Sequence, residues 1–369
     1  MARRLVAIDL PGGRQFVDAL RRTWDDGDAA FPVDQRLPPP ARRAVLDAMA
    51  PGVVVDTSGM APRDNGRPTE DGDALVVATS GTTGTPRGVV LTHDAVVASA
   101  TATSARLGVT TRDHWLACLP LAHVGGLSVV TRALHAGTAL TVLPSFDVDE
   151  VRGAVDRGAN LVSLVATALG RVEPSWFRTI VLGGARPPAE VAVNVVVTYG
   201  LTETGSGVVY DGVPLDGVEV RVVDGEIHLR GPMLLRAYRD GTDPRRDGWL
   251  PTGDIGQWDA DGRLVVEGRR GDLIVSGGEN VWPDVVEAAL RTHAHVADVA
   301  VAGTPDPEWG DIVTAYVVPL GEPPTLAALR DHVRASLAAF QAPRRLVLVD
   351  AIPRTALGKV TRHALAVDG

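Results

Sequence analysis

A ten-residue run, Thr79-Ser80-Gly81-Thr82-Thr83-Gly84-Thr85-Pro86-Arg87-Gly88, constrains this chain more than any other stretch. It lies between two apolar segments, Ala74–Ala78 and Gly88–Leu91. Glycine lets backbone N–H groups turn towards an anion without a Cβ in the way. The hydroxyls of Thr79, Ser80, Thr82 and Thr83 add donors, and Arg87 adds a permanent cation. Strand, flexible donor-rich loop and second ordered element together make a phosphate cradle. No Gly-Lys-Ser/Thr closes it, so it is not a P-loop. A short glycine pattern alone is equally a surface turn, and the rest of the chain has to decide.

The 369 residues are enough for two or three domains. A formal charge of −9 argues against a nucleic-acid protein, although local cations can still hold a nucleotide. Cys118 is the only cysteine, which excludes a disulfide framework and points to a reducing, cytoplasmic setting. Asp9 and Pro11 interrupt the N-terminal apolar stretch too early for a signal peptide. No apolar run approaches the about 18 residues a membrane span needs.

Residues 1–72 give few signals beyond helices at Gln15–Thr23 and Ala41–Met49 and a polar loop at Asp64–Gly72. Beyond the phosphate loop, Thr92 or Asp94 caps a helix ending near Gly108. Strands follow at His114–Leu121, Ala139–Leu143 and Leu161–Val165, with helices at Gly125–His135 and, capped by Asp147, at Val148–Arg157. This alternation predicts an α/β sheet. Residues 218–268 change character, since Asp224-Gly225 and Asp261-Gly262 sit between alternating runs and predict a small antiparallel β subdomain. From Gly271 the chain reads as a separate α+β domain. Its strands are Val296–Ala302, Ile312–Val318 and Leu346–Val349, and its helices Pro283–Arg291 and Leu326–Ala339. The expected organisation is therefore 1–270, a large α/β domain, followed by 271–369.

Five further segments carry chemistry. Val181-Leu182-Gly183-Gly184-Ala185 is either a strand-end turn or a flat seat for a base. Tyr199-Gly200-Leu201-Thr202-Glu203 can stack adenine through Tyr199, reach a phosphate through Thr202 and hold Mg²⁺ through Glu203. It can equally be a helix N-terminus with an acid in its first turn. Asp254, after Pro251-Thr252-Gly253, is a turn residue or a carboxylate for ribose hydroxyls. Gly268-Arg269-Arg270-Gly271-Asp272 is a charged linker or a hinge. Ser276-Gly277-Gly278-Glu279-Asn280-Val281 reads as a glycine-rich loop ahead of a helix.

With Pro120-Leu121-Ala122-His123-Val124-Gly125-Gly126 and Pro353-Arg354-Thr355-Ala356-Leu357-Gly358-Lys359, these segments resemble, in order, the adenylate-forming superfamily of acyl-CoA synthetases, luciferases and peptide-synthetase adenylation domains. The resemblance covers residues 73–365. It implies a mobile C-terminal domain, Mg²⁺ as cofactor, and ATP and CoA as co-substrates. It makes Thr79, Ser80, Gly81, Thr82, Thr83, Gly84, Gly183, Gly184, Ala185, Tyr199, Thr202, Asp254 and Arg269 the ATP site. Glu203 would hold the metal, Asp272 would be the hinge, and Gly277 and Gly278 would line the pantetheine route. His123, Gly125 and Gly183 would border the acyl pocket. Lys359, Arg87 and His123 would be the catalytic residues, with Arg87 replacing the family's usual lysine by a planar fork. Lys359 is also the chain's only lysine against 35 arginines.

The Gly-Gly-Glu-Asn-Val-Trp-Pro segment and an N-terminal part that looks shortened resemble o-succinylbenzoate–CoA ligases of menaquinone synthesis. That resemblance implies o-succinylbenzoate as the acid, with a homodimer allowed. Another aryl- or acyl-CoA ligase, a stand-alone adenylation domain and a catalytically dead nucleotide-binding regulator are the alternatives. Lys359, Glu203 and Asp254 together disfavour the last.

Overall fold

The computed structural model describes residues 3–80, 86–188, 190–354 and 360–365. The chain forms two compact units. The first comprises 1–221, 228–251 and 260–264, and the second 222–227, 252–259 and 265–369.

The first unit holds two seven-stranded sheets. One has parallel strands Leu5–Ile8, Ala29–Pro32 and Val53–Asp56 beside the strand Asp73–Ser80. Leu5–Ile8 and Ala29–Pro32 are buried along their whole length, as central parallel strands must be. The helix Arg14–Asp25 covers them with Phe16, Ala19, Leu20 and Thr23, one face at helical spacing. Asp73–Ser80 and Pro86–Thr92 then pair antiparallel, bringing Thr79 opposite Arg87 at the mouth of the glycine loop. The short strand Ala237–Tyr238 closes the edge, with Tyr238 opposite Val89. Arg236 secures it by a two-pronged bond to the buried Asp73, at 2.8 and 3.0 Å.

The second sheet runs in the order Ala139–Val142, His114–Ala117, Leu161–Leu164, Thr179–Leu182 and Val195–Leu201, all parallel. Ser206–Tyr210 and Val213–Pro214 extend it antiparallel. Thr92, not Asp94, caps the helix His93–Arg106 by accepting from Ala95 N–H, and Asp147 caps Val148–Asp156 as expected. The strand predicted to reach Leu121 ends at Ala117.

A four-stranded sheet occupies the region where the β subdomain was expected, in the order Glu219–Val223, Glu226–Arg230, Leu250–Trp258, Leu264–Arg269. Asp224 (φ +49°) and Gly225 (φ +77°) make the tight turn their pairing predicted.

In the second unit, Val296–Asp306 and Gly310–Pro319 form a long antiparallel pair, with Arg345–Leu348 parallel beside it. Helices Pro283–Leu290 and Leu326–Arg334 supply Val286, Leu290, Leu329 and Val333 to a core with Val299, Val301, Val313, Ala315 and Val317. The second helix stops at Arg334, short of the Ala339 expected. Among the described residues no helix is long and apolar enough to cross a membrane.

Candidate active site

Arg87 stands at the start of the strand Pro86–Thr92. Its guanidinium lies 3.9 Å from the centre of the Tyr238 ring and 3.8 Å from Asp240. Tyr238 in turn donates its hydroxyl to Glu203 Oε1 at 2.9 Å. Two residues expected to act on phosphate and metal are thus joined through one phenol. Gly88, next in the strand, is closely packed, because a Cβ there would come within 2.9 Å of Arg239 and Val76 atoms and 2.6 Å of Met49 Sδ. Thr79 Oγ1 donates to the Arg87 carbonyl at 3.3 Å, holding the two strand ends together. Gly81, Thr82, Thr83 and Gly84 lie outside the described residues, as does Lys359. Ser80 ends the first strand of the hairpin.

Tyr199 lies in the strand Val195–Leu201, whose register slips between Tyr199 and Gly200. The segment then becomes a three-residue 3₁₀ turn, Thr202–Thr204, and not an α-helix N-terminus. Thr204 is fully buried and bonds Leu201 N–H and the Ser206 carbonyl, which leaves Thr202 and Glu203 half-exposed at the turn. Gly183 and Gly184 follow the neighbouring parallel strand Thr179–Leu182, with Ala185 exposed after them. A Cβ at Gly183 would sit 2.8 Å from Thr198 Oγ1. Both segments therefore leave the sheet at the C-terminal ends of adjacent parallel strands, the usual location of ligands in such sheets.

His123 is the N-cap of the helix Val124–Ala136. Its Nε2 is 3.3 Å from Asp34 Oδ2. Burial pushes the Asp34 carboxyl up, but His123 and a two-pronged contact with Arg36 more than cancel this and hold it far below the usual carboxylate range. A Cβ at Gly125 would meet only Leu119 Cδ1, at 3.7 Å, whereas one at Gly126 would come within 2.4 Å of the Leu119 carbonyl.

In the second unit, Asp254 is buried and its Oδ1 accepts from Arg269 Nη1 at 3.3 Å. Thr252 Oγ1 accepts from the Asp254 N–H, and Glu226 accepts from Gly253 N–H, so the turn before the acid is fixed. Asp272 lies in the short 3₁₀ turn Arg270–Asp272 and accepts from Arg362 at 3.3 Å. Gly277-Gly278 is the tight turn of a β-hairpin between Ile274–Ser276 and Glu279–Val281, which corrects the expected loop. Both residues have positive φ, +61° and +85°. A Cβ at Gly277 would also strike the Trp309 ring at 2.6 Å. Trp309 carries Arg344 stacked on it at 3.5 Å.

Residues 15–239 match the family model "AMP-binding enzyme", and 285–359 match "AMP-binding enzyme C-terminal domain". The chain belongs to the AMP-binding enzyme family. Among its relatives, a Mycobacterium tuberculosis protein named "Probable 2-succinylbenzoate--CoA ligase" is 41% identical over 330 residues, covering 81% of this chain and 85% of that one. A Bacillus cereus 2-succinylbenzoate–CoA ligase is 36% identical over 332 residues, covering 79% and 69%. The solved o-succinylbenzoate CoA synthetase of Bacillus subtilis, in complex with its acyl-adenylate intermediate, superposes with a TM-score of 0.89 at 29% identity, covering 100% of this chain and 89% of that one. The fold of this AMP-binding enzyme is thus a large N-terminal α/β domain and a smaller C-terminal one.

The sequence reading missed Tyr238, Asp34 and Arg362. Each acts through a contact made across distant segments, and none sits in a motif of its own. The donor set fits Mg²⁺. Glu203 and the neighbouring Thr202 offer hard oxygen donors, half-exposed at the turn. Mg²⁺ characteristically takes one or two carboxylates and completes its shell with phosphate and water.

Proposed function

We propose that this AMP-binding enzyme is an AMP-forming acid–CoA ligase that converts 2-succinylbenzoate, ATP and CoA into 2-succinylbenzoyl-CoA, AMP and pyrophosphate. The Arg87–Tyr238–Glu203 arrangement carries the chemical part of this reading, and the named relatives carry the acid. In the first half-reaction a substrate carboxylate oxygen attacks the α-phosphorus, and the bond to the β-phosphate oxygen breaks. Negative charge spreads over the phosphates, where Arg87, the N–H groups of the 79–84 loop and Lys359 stabilise it. Glu203 would hold Mg²⁺, which when bound neutralises phosphate charge. Asp254 accepts from the ribose hydroxyls with Arg269 beside it, and Tyr199, Gly183, Gly184 and Ala185 receive the adenine.

In the second half-reaction the CoA sulfur attacks the acyl carbonyl, and AMP leaves. Rotation of the C-terminal domain about Asp272 exchanges Lys359 for the Gly277-Gly278 turn, whose small residues admit the pantetheine arm. His123, held by Asp34, and Gly125 border the acyl group.

The test is a panel of carboxylic acids with ATP and CoA, read as AMP release and thioester mass. 2-Succinylbenzoate is expected to give the highest kcat/KM. A higher value for benzoate or a medium-chain fatty acid would overturn the acid while leaving the reaction type standing. Activity without free CoA but with a carrier protein would replace the ligase by an adenylation domain.

A further inference from the structure

Among the described cations of the second unit, Arg362 is the most heavily engaged. Only 16% of its side chain is exposed. Its Nε donates to the Val301 carbonyl at 3.0 Å and its Nη1 to Asp272 at 3.3 Å. Its Nη2 donates to Glu287 at 2.7 Å and also to Asp284. One planar group thus ties together the turn Arg270–Asp272, the helix Pro283–Leu290, the strand Val296–Asp306 and the end of the chain.

Stability alone does not account for this convergence. The carboxylates of Asp272 and Asp284 are 40% and 42% exposed, so water would solvate them without the arginine. Glu287 is buried but keeps two other partners, Arg291 at 2.9 Å and the Val301 N–H at 3.0 Å. Removing Arg362 would therefore strand no carboxylate. What its fork supplies is fixed geometry, which a planar guanidinium imposes better than a point charge.

The geometry matters because of what borders it. Arg354 donates to Asp298 from Nη2, at 2.6 and 2.9 Å to its two oxygens, and from Nε at 3.3 Å, and Thr361 N–H donates to the Pro353 carbonyl at 2.8 Å. Arg354 and Val360 also form a β-bridge. Residues 353–354 are therefore paired with 360–361, and Lys359, outside the described residues, is three residues from Arg362 in sequence.

We propose that Arg362 is a positioning residue of the ligase, fixing the hinge residue Asp272 and residues 360–362, which follow Lys359 in sequence, to one helix, so that the hinge turn and this segment move as one. This rests on the assignment of Asp272 as hinge and Lys359 as the adenylation cation.

Four proteins test it: Arg362→Met, Arg362→Lys, Asp272→Asn and the Met/Asn double variant. Each is assayed for pyrophosphate release from acid and ATP, and for thioester formation from supplied acyl-adenylate. In Arg362→Met, kcat for pyrophosphate release should fall about ten- to a hundredfold, the loss expected from a misplaced catalytic group. KM for ATP should stay within about twofold, because Asp254 and Arg269 are untouched. Thioester formation should change by less than about threefold, and the thermal midpoint should hold. Arg362→Lys should recover part of the loss. Asp272→Asn should cost less alone and add little to Arg362→Met, the non-additivity of a shared contact.

Unchanged pyrophosphate release in folded Arg362→Met would overturn the proposal. So would equal losses in both half-reactions with a lower thermal midpoint, or multiplicative effects in the double variant. The assays use whichever acid the unaltered enzyme activates best, so a wrong acid and a wrong role for Arg362 give different results.

Discussion

The residues assigned to phosphate and those assigned to ribose are built on opposite plans. Arg87 is half-exposed, rests on an aromatic face and meets Asp240 only at 3.8 Å. A cation held this loosely can follow charge as it moves during reaction. Asp254 is buried, its turn is fixed by Thr252 and Glu226, and a cation stands beside it. An acceptor held this firmly suits a group that does not change during reaction. The contrast predicts that phosphate-side variants act on kcat and ribose-side variants on KM.

The largest effect should come from the cations. Lys359→Ala and Arg87→Ala are each expected to slow pyrophosphate release by about two to three decades, as loss of a positioned charge stabiliser does. Lys359→Ala should leave thioester formation from supplied acyl-adenylate near the unaltered rate. Equal loss in both half-reactions would make Lys359 structural. Arg87→Lys keeps the charge and gives up the flat stack on Tyr238, so it should retain far more activity than the alanine variant.

Next is Asp254→Ala. Hydrogen bonds to a charged acceptor contribute roughly 1.5–3 kcal/mol, so KM for ATP should rise about ten- to a hundredfold. Isothermal titration with a non-hydrolysable ATP analogue checks this. A fall confined to kcat would erase the contrast between the two groups.

Tyr238→Phe separates the two contacts of the phenol, keeping the stack under Arg87 and losing the bond to Glu203. A bond to a charged but half-exposed acceptor contributes at the low end of roughly 1.5–3 kcal/mol, so the half-saturating Mg²⁺ concentration should rise about tenfold with the ATP-only affinity unmoved. An unshifted Mg²⁺ titration would confine Tyr238 to packing.

The smallest effect lies outside both groups, at Asp34. Its folded pKa is depressed, so it adds stability above its ordinary value of 3.8 that is lost as pH falls below it. Asp34→Asn should flatten the acid side of the stability curve. Urea midpoints at about pH 3 and about pH 7 should then differ less than in the unaltered protein. An identical acid limb would remove the Asp34–His123 pair from the acid response.

These groups differ in how far the sequence exposes them. Thr79–Gly88 and Asp254 are local strings whose residue types already state their chemistry. Tyr238 is invisible there, because its position comes from pairing with Val89 across the sheet edge. Asp34 follows a strand of four buried residues, too short and too uniformly buried to show a period. The hairpin at Ile274–Val281 read as a loop because Gly277-Gly278 is a strong turn signal and its flanking strands are three residues each. The helices were clearer, since Phe16, Leu20 and Thr23, or Leu329 and Val333, repeat with the helical period. Their ends were set by capping, as at Thr92 and Asp147.

The edge strand Ala237–Tyr238 also bears on the order of assembly. On the ribosome the hairpin Asp73–Thr92 emerges with the strands Leu5–Ile8 and Ala29–Pro32 already made. The aromatic seat for Arg87 emerges only after all of the second sheet. Contacts so far apart in sequence are costly to close and form late. The hypothesis is that the nascent enzyme acquires its phosphate-side cation early and the surface that orients it near the end of first-unit synthesis. Pulse-labelled hydrogen exchange during refolding can follow this through the Arg239 amide, which bonds the Gly88 carbonyl. Its protection should lag that of Val77 and Val89, paired within the hairpin. Simultaneous protection would mean that hairpin and edge close in one step.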